Sequence, residues 1–131
     1  MNKVVVRYSD GRILKGTTND FLPAKGEFHL APAVSNPGEK PLPVRVMDLK
    51  ALFFVKDFAG NREREESVEF PATRVTGRKI RVVFADGEVL IGTTQGYDRS
   101  RPGFFVVPAD PGSNNERVFV VTGAAQDVAF I

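Results

Sequence analysis

The chain has no cysteine and no tryptophan, and it has a single histidine. Without cysteine there is no disulfide framework and no thiolate metal site, which suits a reducing compartment. With His29 as the lone imidazole, no histidine metal centre is expected within one chain. Long apolar runs are missing too: no segment is long enough to span a membrane. Near the amino terminus the run Val4 to Val6 stops at Arg7, which is not the layout of a signal peptide. These absences predict a cytoplasmic chain with no membrane partner and no metal. Charge of one sign is also lacking. The 131 residues carry 18 Lys+Arg against 16 Asp+Glu, a net charge of +2. Residues 1–58 hold +3, residues 59–77 hold −1, and residues 78–131 hold zero. A binder of the DNA backbone concentrates a basic stripe, and this distribution supplies none.

What the chain does have is self-similarity. Lys3 to Leu22 reads KVVVRYSDGRILKGTTNDFL, and Lys79 to Asp98 reads KIRVVFADGEVLIGTTQGYD; at an offset of 76, eight of twenty positions are identical. Chance predicts roughly one match. The shared residues include Asp10-Gly11 with Asp86-Gly87 and Gly16-Thr17-Thr18 with Gly92-Thr93-Thr94. The likeness resumes near the end of each copy, where Leu52, Phe54 and Val55 align with Val128, Phe130 and Ile131. Two units follow, residues 1–58 and 78–131. A charged linker, residues 59–77, joins them, with a helical turn over 61–67 as the less simple reading.

Within each unit the apolar period is two. Ile80, Val82 and Phe84 share one face, and Val4, Val6 and Tyr8 repeat it. Asp-Gly follows, a hairpin signal that predicts a type I′ turn. Gly16 and Gly92 fall inside the return strands, where glycine marks a bend or a bulge. A short aromatic strand comes next (Phe28; Phe104-Phe105), then a loop, then two last strands (41–46 with 49–58; 117–122 with 126–131). The fold class is therefore all-β, two tandem five-stranded small barrels of SH3-like type. A unit of this size buries a marginal core alone. The two units are expected to pack together, or chains to associate through strand edges. The run Ala51, Leu52, Phe53, Phe54, Val55 is apolar on both faces, as for a strand covered on both sides, and is the candidate assembly surface.

These motifs resemble the Sm/LSm/Hfq superfamily. The first motif of that family matches Val82-Val83-Phe84-Ala85-Asp86-Gly87, Val89-Leu90-Ile91-Gly92, Gly96-Tyr97-Asp98 and the strand from Phe104 to Val107. The second matches Val118 to Thr122, Gly123, and Val128 to Ile131. The resemblance covers most of each unit and implies an Sm-like barrel. It implies less about a ligand. The loop Asn that contacts a base in RNA-binding members is replaced by Pro102-Gly103 and by Gly26. The Arg beside the turn glycine is replaced by Thr122-Gly123-Ala124-Ala125 and by Val46-Met47-Asp48-Leu49. The helix preceding the first strand is missing from unit one. The chain also resembles bacterial proteins of unknown function built from this repeat, some related domains of which are joined to PilZ-type modules. The PilZ arginine pair and its Asp/Asn-x-Ser-x-x-Gly run are absent, so no cyclic dinucleotide site and no cofactor is inferred.

Candidate contact residues each carry two readings. Phe21 and Tyr97 occupy matching positions and either stack a base or cap the end of a barrel. Lys25, Arg99 and Arg101 lie in the turns that follow and either meet phosphate or stay solvated. Asn114, Asn115 and Arg117, in the polar loop from Asp110, either recognise a partner or serve turn geometry. His29 lacks a second acid, base or nucleophile in any recognisable pattern, and no serine sits in a nucleophile elbow. The expectation is a non-enzymatic module that binds a protein or self-associates. Single-stranded RNA binding through Tyr97, Arg99, Arg101, Phe21 and Lys25 is the alternative.

Overall fold

The computed structural model describes residues 2–34, 37–59, 70 and 76–131. The charged linker expected over 59–77 and its helical turn lie almost wholly outside them. Period-two alternation becomes ten strands: β1 (Asn2–Tyr8), β2 (Ile13–Thr18), β3 (Glu27–Pro32), β4 (Leu42–Arg45), β5 (Leu49–Val55), β6 (Arg78–Phe84), β7 (Val89–Thr94), β8 (Gly103–Pro108), β9 (Asn115–Val121) and β10 (Ala125–Phe130). Single 3₁₀ turns, Val46–Asp48 and Thr122–Ala124, link β4 to β5 and β9 to β10. Among the described residues no helix is long and apolar enough to cross a membrane.

The protein is all-β, and its strands form one antiparallel sheet in the order β10-β6-β7-β8-β9-β5-β1-β2-β3-β4. The second five strands repeat the pairing of the first at an offset of 76. Asn2 faces Thr18 as Arg78 faces Thr94, and Gly16 faces Pro32 as Gly92 faces Pro108. The sheet does not close as two separate barrels. No ladder joins β4 to β5 or β9 to β10, because each 3₁₀ turn swings the last strand away from its predecessor and onto the first strand of its half. The free edge of β5 is taken by β9 of the other half.

That junction organises the interior. Leu49, Leu52 and Phe54 of β5 pack into the core of the first half, with Val4, Val6, Phe28 and Leu30. The alternate residues Ala51, Phe53 and Val55 pack into the core of the second half, with Ile80, Val82 and Phe84. β9 does the same in reverse: Val118 and Val120 serve the second core, Phe119 and Val121 the first. Every residue of β5 is buried for this reason. A strand with two apolar faces fits only where both are covered. The run Leu52 to Val55, expected as an assembly surface, is thus spent inside one chain and closed to a second copy.

Two local expectations change in detail. The Asp-Gly hairpins form, but not as type I′ turns. Only the glycines reach positive φ, Gly11 at 98° and Gly87 at 91°. Gly11 donates its N–H to the Tyr8 carbonyl and Tyr8 donates to Arg12, a type I turn closed by a left-handed glycine bulge. Aspartate stays right-handed because its carboxylate accepts the backbone N–H two residues on, from Arg12 to Asp10 and from Glu88 to Asp86. Gly16 and Gly92 are the points where β2 and β7 cross tightly against β3 and β8. A Cβ there would lie 2.2 Å from the Ala31 carbonyl oxygen, or 2.1 Å from that of Val107.

Candidate functional site

Three places bring chemistry-bearing side chains together: the junction between the halves, a cleft beside it, and the outer edge of β10.

At the junction, aromatic rings from both halves interlock. Phe21 lies 5.4 Å from Phe28, 5.0 Å from Phe119 and 6.3 Å from Phe105, centroid to centroid. The Arg117 guanidinium covers Phe54 at 4.2 Å and Phe105 at 4.7 Å. On the opposite side Lys50 is buried, its side chain 6% exposed, although a lysine in a strand reads as solvated. Its ammonium donates to Asp86 Oδ2 at 2.7 Å and to Glu88 Oε2, and lies 4.7 Å from the Phe84 ring. Arg7 shares Glu88 at 3.0 Å. The Lys50 bond, helped by the Glu88 N–H, holds the Asp86 carboxyl below its ordinary pKa. The sequence carries one signal for this cluster: Lys50 opens the apolar run on the 3₁₀ side.

The cleft encloses about 470 Å³ where Pro23 of the first half meets the turn 94–98, Arg101, Gly103 to Phe105 and Phe119. Tyr97 forms one wall, held edge-on by Phe104 at 4.7 Å. Thr94 Oγ1 is committed to the fold, donating to the Phe105 carbonyl at 2.7 Å. Asp98 accepts the Ser100 hydroxyl and N–H, and these bonds lower its pKa. The cleft therefore presents one aromatic wall, one guanidinium and a carboxylate charged at neutral pH.

The expected contact residues separate on this map. Tyr97 and Arg101 line the cleft together. Phe21 instead packs against the first core and the junction rings. Lys25 and Arg99 are exposed and outside the cleft lining. Asn114 ties β9 to the end of β5: its Oδ1 accepts the Asp57 N–H and its Nδ2 donates to the Asp57 carbonyl. Asn115 donates its backbone N–H to Ser113 Oγ. Arg117 serves the junction rings. His29 donates Nδ1–H to Asp20 Oδ2 at 2.7 Å, since an ionised carboxylate only accepts. With the His29 and Thr18 bonds, Asp20 falls to a pKa of about 2. Among the described residues no group of three or more His, Asp or Glu is placed to hold a metal ion.

The two ends of the sheet differ. Just past β4 the Val46 N–H donates to the Gly26 carbonyl just before β3, and that alternation turns the backbone groups of residues 41, 43 and 45 outward. Two of those three are prolines, Pro41 and Pro43, which have no N–H to give. Just past β10 the Ile131 N–H donates to the Lys79 carbonyl of β6. Residues 128 and 130 therefore turn N–H and C=O outward, and none of Gln126 to Ile131 is proline. Phe130 is 40% exposed and Ile131 57%.

The family of unknown function DUF6982 matches the chain over residues 1–131. No curated protein and no solved structure matches it.

Proposed function

The chain belongs to the family of unknown function DUF6982, and from that premise we propose that it is a non-enzymatic, cytoplasmic protein-binding module made of two Sm-like small barrels fused side by side. Support for the barrel reading lies in each half: strand order 5-1-2-3-4, a 3₁₀ corner before the last strand, and a glycine where the second strand is pressed against the third. The observation that carries the binding reading is the inequality of the two edges. Exposed edges are normally blunted by proline, charge or cover. Among the described residues β4 is blunted by two prolines, while β10 has no proline, no covering strand and a single charge, Asp127, with Phe130 and Ile131 exposed. An open edge is where an extended partner segment adds as a further strand.

A photo-crosslinking residue placed at Ala129, with a control at Arg45 on β4, tests this in cells. One protein captured repeatedly at position 129 and not at 45 supports the reading; equal capture at both, or none at 129, removes it.

One observation favours a second reading, single-stranded RNA. Tyr97 and Arg101 line one cleft, an aromatic and a cation of the kind that hold a base and its phosphate. Anisotropy with U-rich and A-rich strands at low and moderate salt tests it. Binding that survives moderate salt and is lost in Tyr97→Ala would favour RNA over protein.

A further inference from the structure

The junction between the halves describes what the open edge accepts. β10 is the repeat counterpart of β5, and β5 has its outer edge filled by β9 in a defined register: Leu52 opposite Phe119, Phe54 opposite Arg117, Ala51 opposite Val120. In that filled site Phe119 packs on Phe21 and Arg117 lies over Phe54. The counterparts in the second half are Tyr97 for Phe21 and Phe130 for Phe54. They stand together, 6.3 Å between ring centroids, and among the described residues no strand lies beyond them. The Phe130 ring already holds one guanidinium, Arg78 at 3.6 Å from its centroid, where the filled site has Asn2, so a partner's arginine takes the other face of the ring or displaces Arg78.

We infer that the β10 edge, with Tyr97, Phe130 and Asp127, binds an extended partner segment of the pattern Arg-x-aromatic-basic, antiparallel to β10. This rests on the protein-binding reading above and adds the chemistry of the partner. The arginine lies opposite Phe130 and stacks on its ring. The aromatic lies opposite Val128 and packs on Tyr97. The basic residue lies opposite Asp127, which is exposed, 3.8 Å from the Arg81 guanidinium, and stands where the filled site has Ala51. Opposite charges directly across a ladder attract. A second copy does not supply this segment. Its β9 is buried in its own junction, and in its β4 the residues matching Arg117 and Phe119 are Pro41 and Pro43, which cannot donate to Phe130 and Val128.

The probe is a synthetic peptide with the sequence of residues 114–122, and a form of it carrying Val120→Lys, titrated against the whole chain. The lysine peptide is expected to bind more tightly than the parent by about 2–5-fold. Asp127→Lys in the protein should reverse that order, and a Val120→Glu peptide should then bind best. Val128→Pro, which removes one outward N–H from an edge strand, should weaken all of them by about tenfold. A charge preference unmoved by Asp127→Lys, no peptide binding, or a stable dimer by light scattering that Val128→Pro dissolves would overturn the inference. If crosslinking at position 129 still captures one protein whose segment lacks the pattern, the partner chemistry is wrong and the open-edge reading stands.

Discussion

Phe119 and Pro43 occupy the same place in the two copies of the repeat, and the sheet predicts opposite consequences for changing them. Phe119 is 1% exposed and sits in the first core although its strand belongs to the second half. It contacts Phe21 at 5.0 Å and Phe105 at 5.1 Å, both edge-on. Truncating a buried phenylalanine costs about 3–5 kcal/mol, a large part of a domain's ordinary stability of about 5–15 kcal/mol. Phe119→Ala should therefore lower the melting temperature by about 10–20 °C. Pro43→Ala, on the exposed outer side of β4, should change stability by less than about 0.5 kcal/mol. The assay has a built-in probe for each half. The chain has no tryptophan and two tyrosines, Tyr8 in the first half and Tyr97 in the second. Tyr8→Phe and Tyr97→Phe variants leave one reporter each for urea unfolding. Both reporters should give one midpoint and move together in Phe119→Ala. If the Tyr8 transition stays in place while the Tyr97 transition shifts, Phe119 does not complete the first core and the shared-strand account fails.

Gly16→Ala and Gly92→Ala should abolish soluble folding or cost more than about 3 kcal/mol, because the new Cβ meets a backbone carbonyl that has nowhere to go. Gly26→Ala and Gly96→Ala, with nothing within 4 Å, are the soluble controls, and thermal melts of the four decide. Asp20 has its pKa lowered from 3.8 to about 2, so its bonds stabilise the fold above pH 4 and that contribution is lost as the pH falls toward 2. The stability gap between the chain and Asp20→Asn should be full at pH 5 and nearly closed at pH 2 by urea titration; a gap that widens in acid contradicts the assignment. At Lys50 the order of damage is the test. Removing the counter-charges with Asp86→Asn and Glu88→Gln should destabilise more than Lys50→Met, which removes the buried charge itself. The reverse order of urea midpoints at equal slope would sink that argument.

The strands were legible because their signals are local: period-two alternation, Asp-Gly at each hairpin, and a repeat that states everything twice. The two-faced burial of Leu52 to Val55 was legible as well, since only a covered strand is apolar on both sides. What covers it was not legible, because strand order depends on which edges meet, and the repeat makes β5 and β10 look alike. The same degeneracy hid the cluster around Lys50, whose partners Asp86 and Glu88 come from a hairpin in the other copy. Tyr97 and Phe21 share a repeat position, yet one lines a cleft and the other is packed into the junction. Position in a repeat fixes backbone pairing, and the neighbouring unit decides what a side chain touches. The difference between the edges can be read in hindsight from Pro41 and Pro43, but only once the register shows which residues face outward.

Shared strands also set an order of events during synthesis. The first half leaves the ribosome with β5 complete but its edge bare, and Phe53 and Val55 belong to a core not yet made. Sixty-six residues separate Val55 from Val121, which finishes the first core. At ordinary elongation rates that is about 3–13 s. For that interval the nascent chain displays an apolar strand paired with β1 on one edge alone, and the arrival of β9 covers the other.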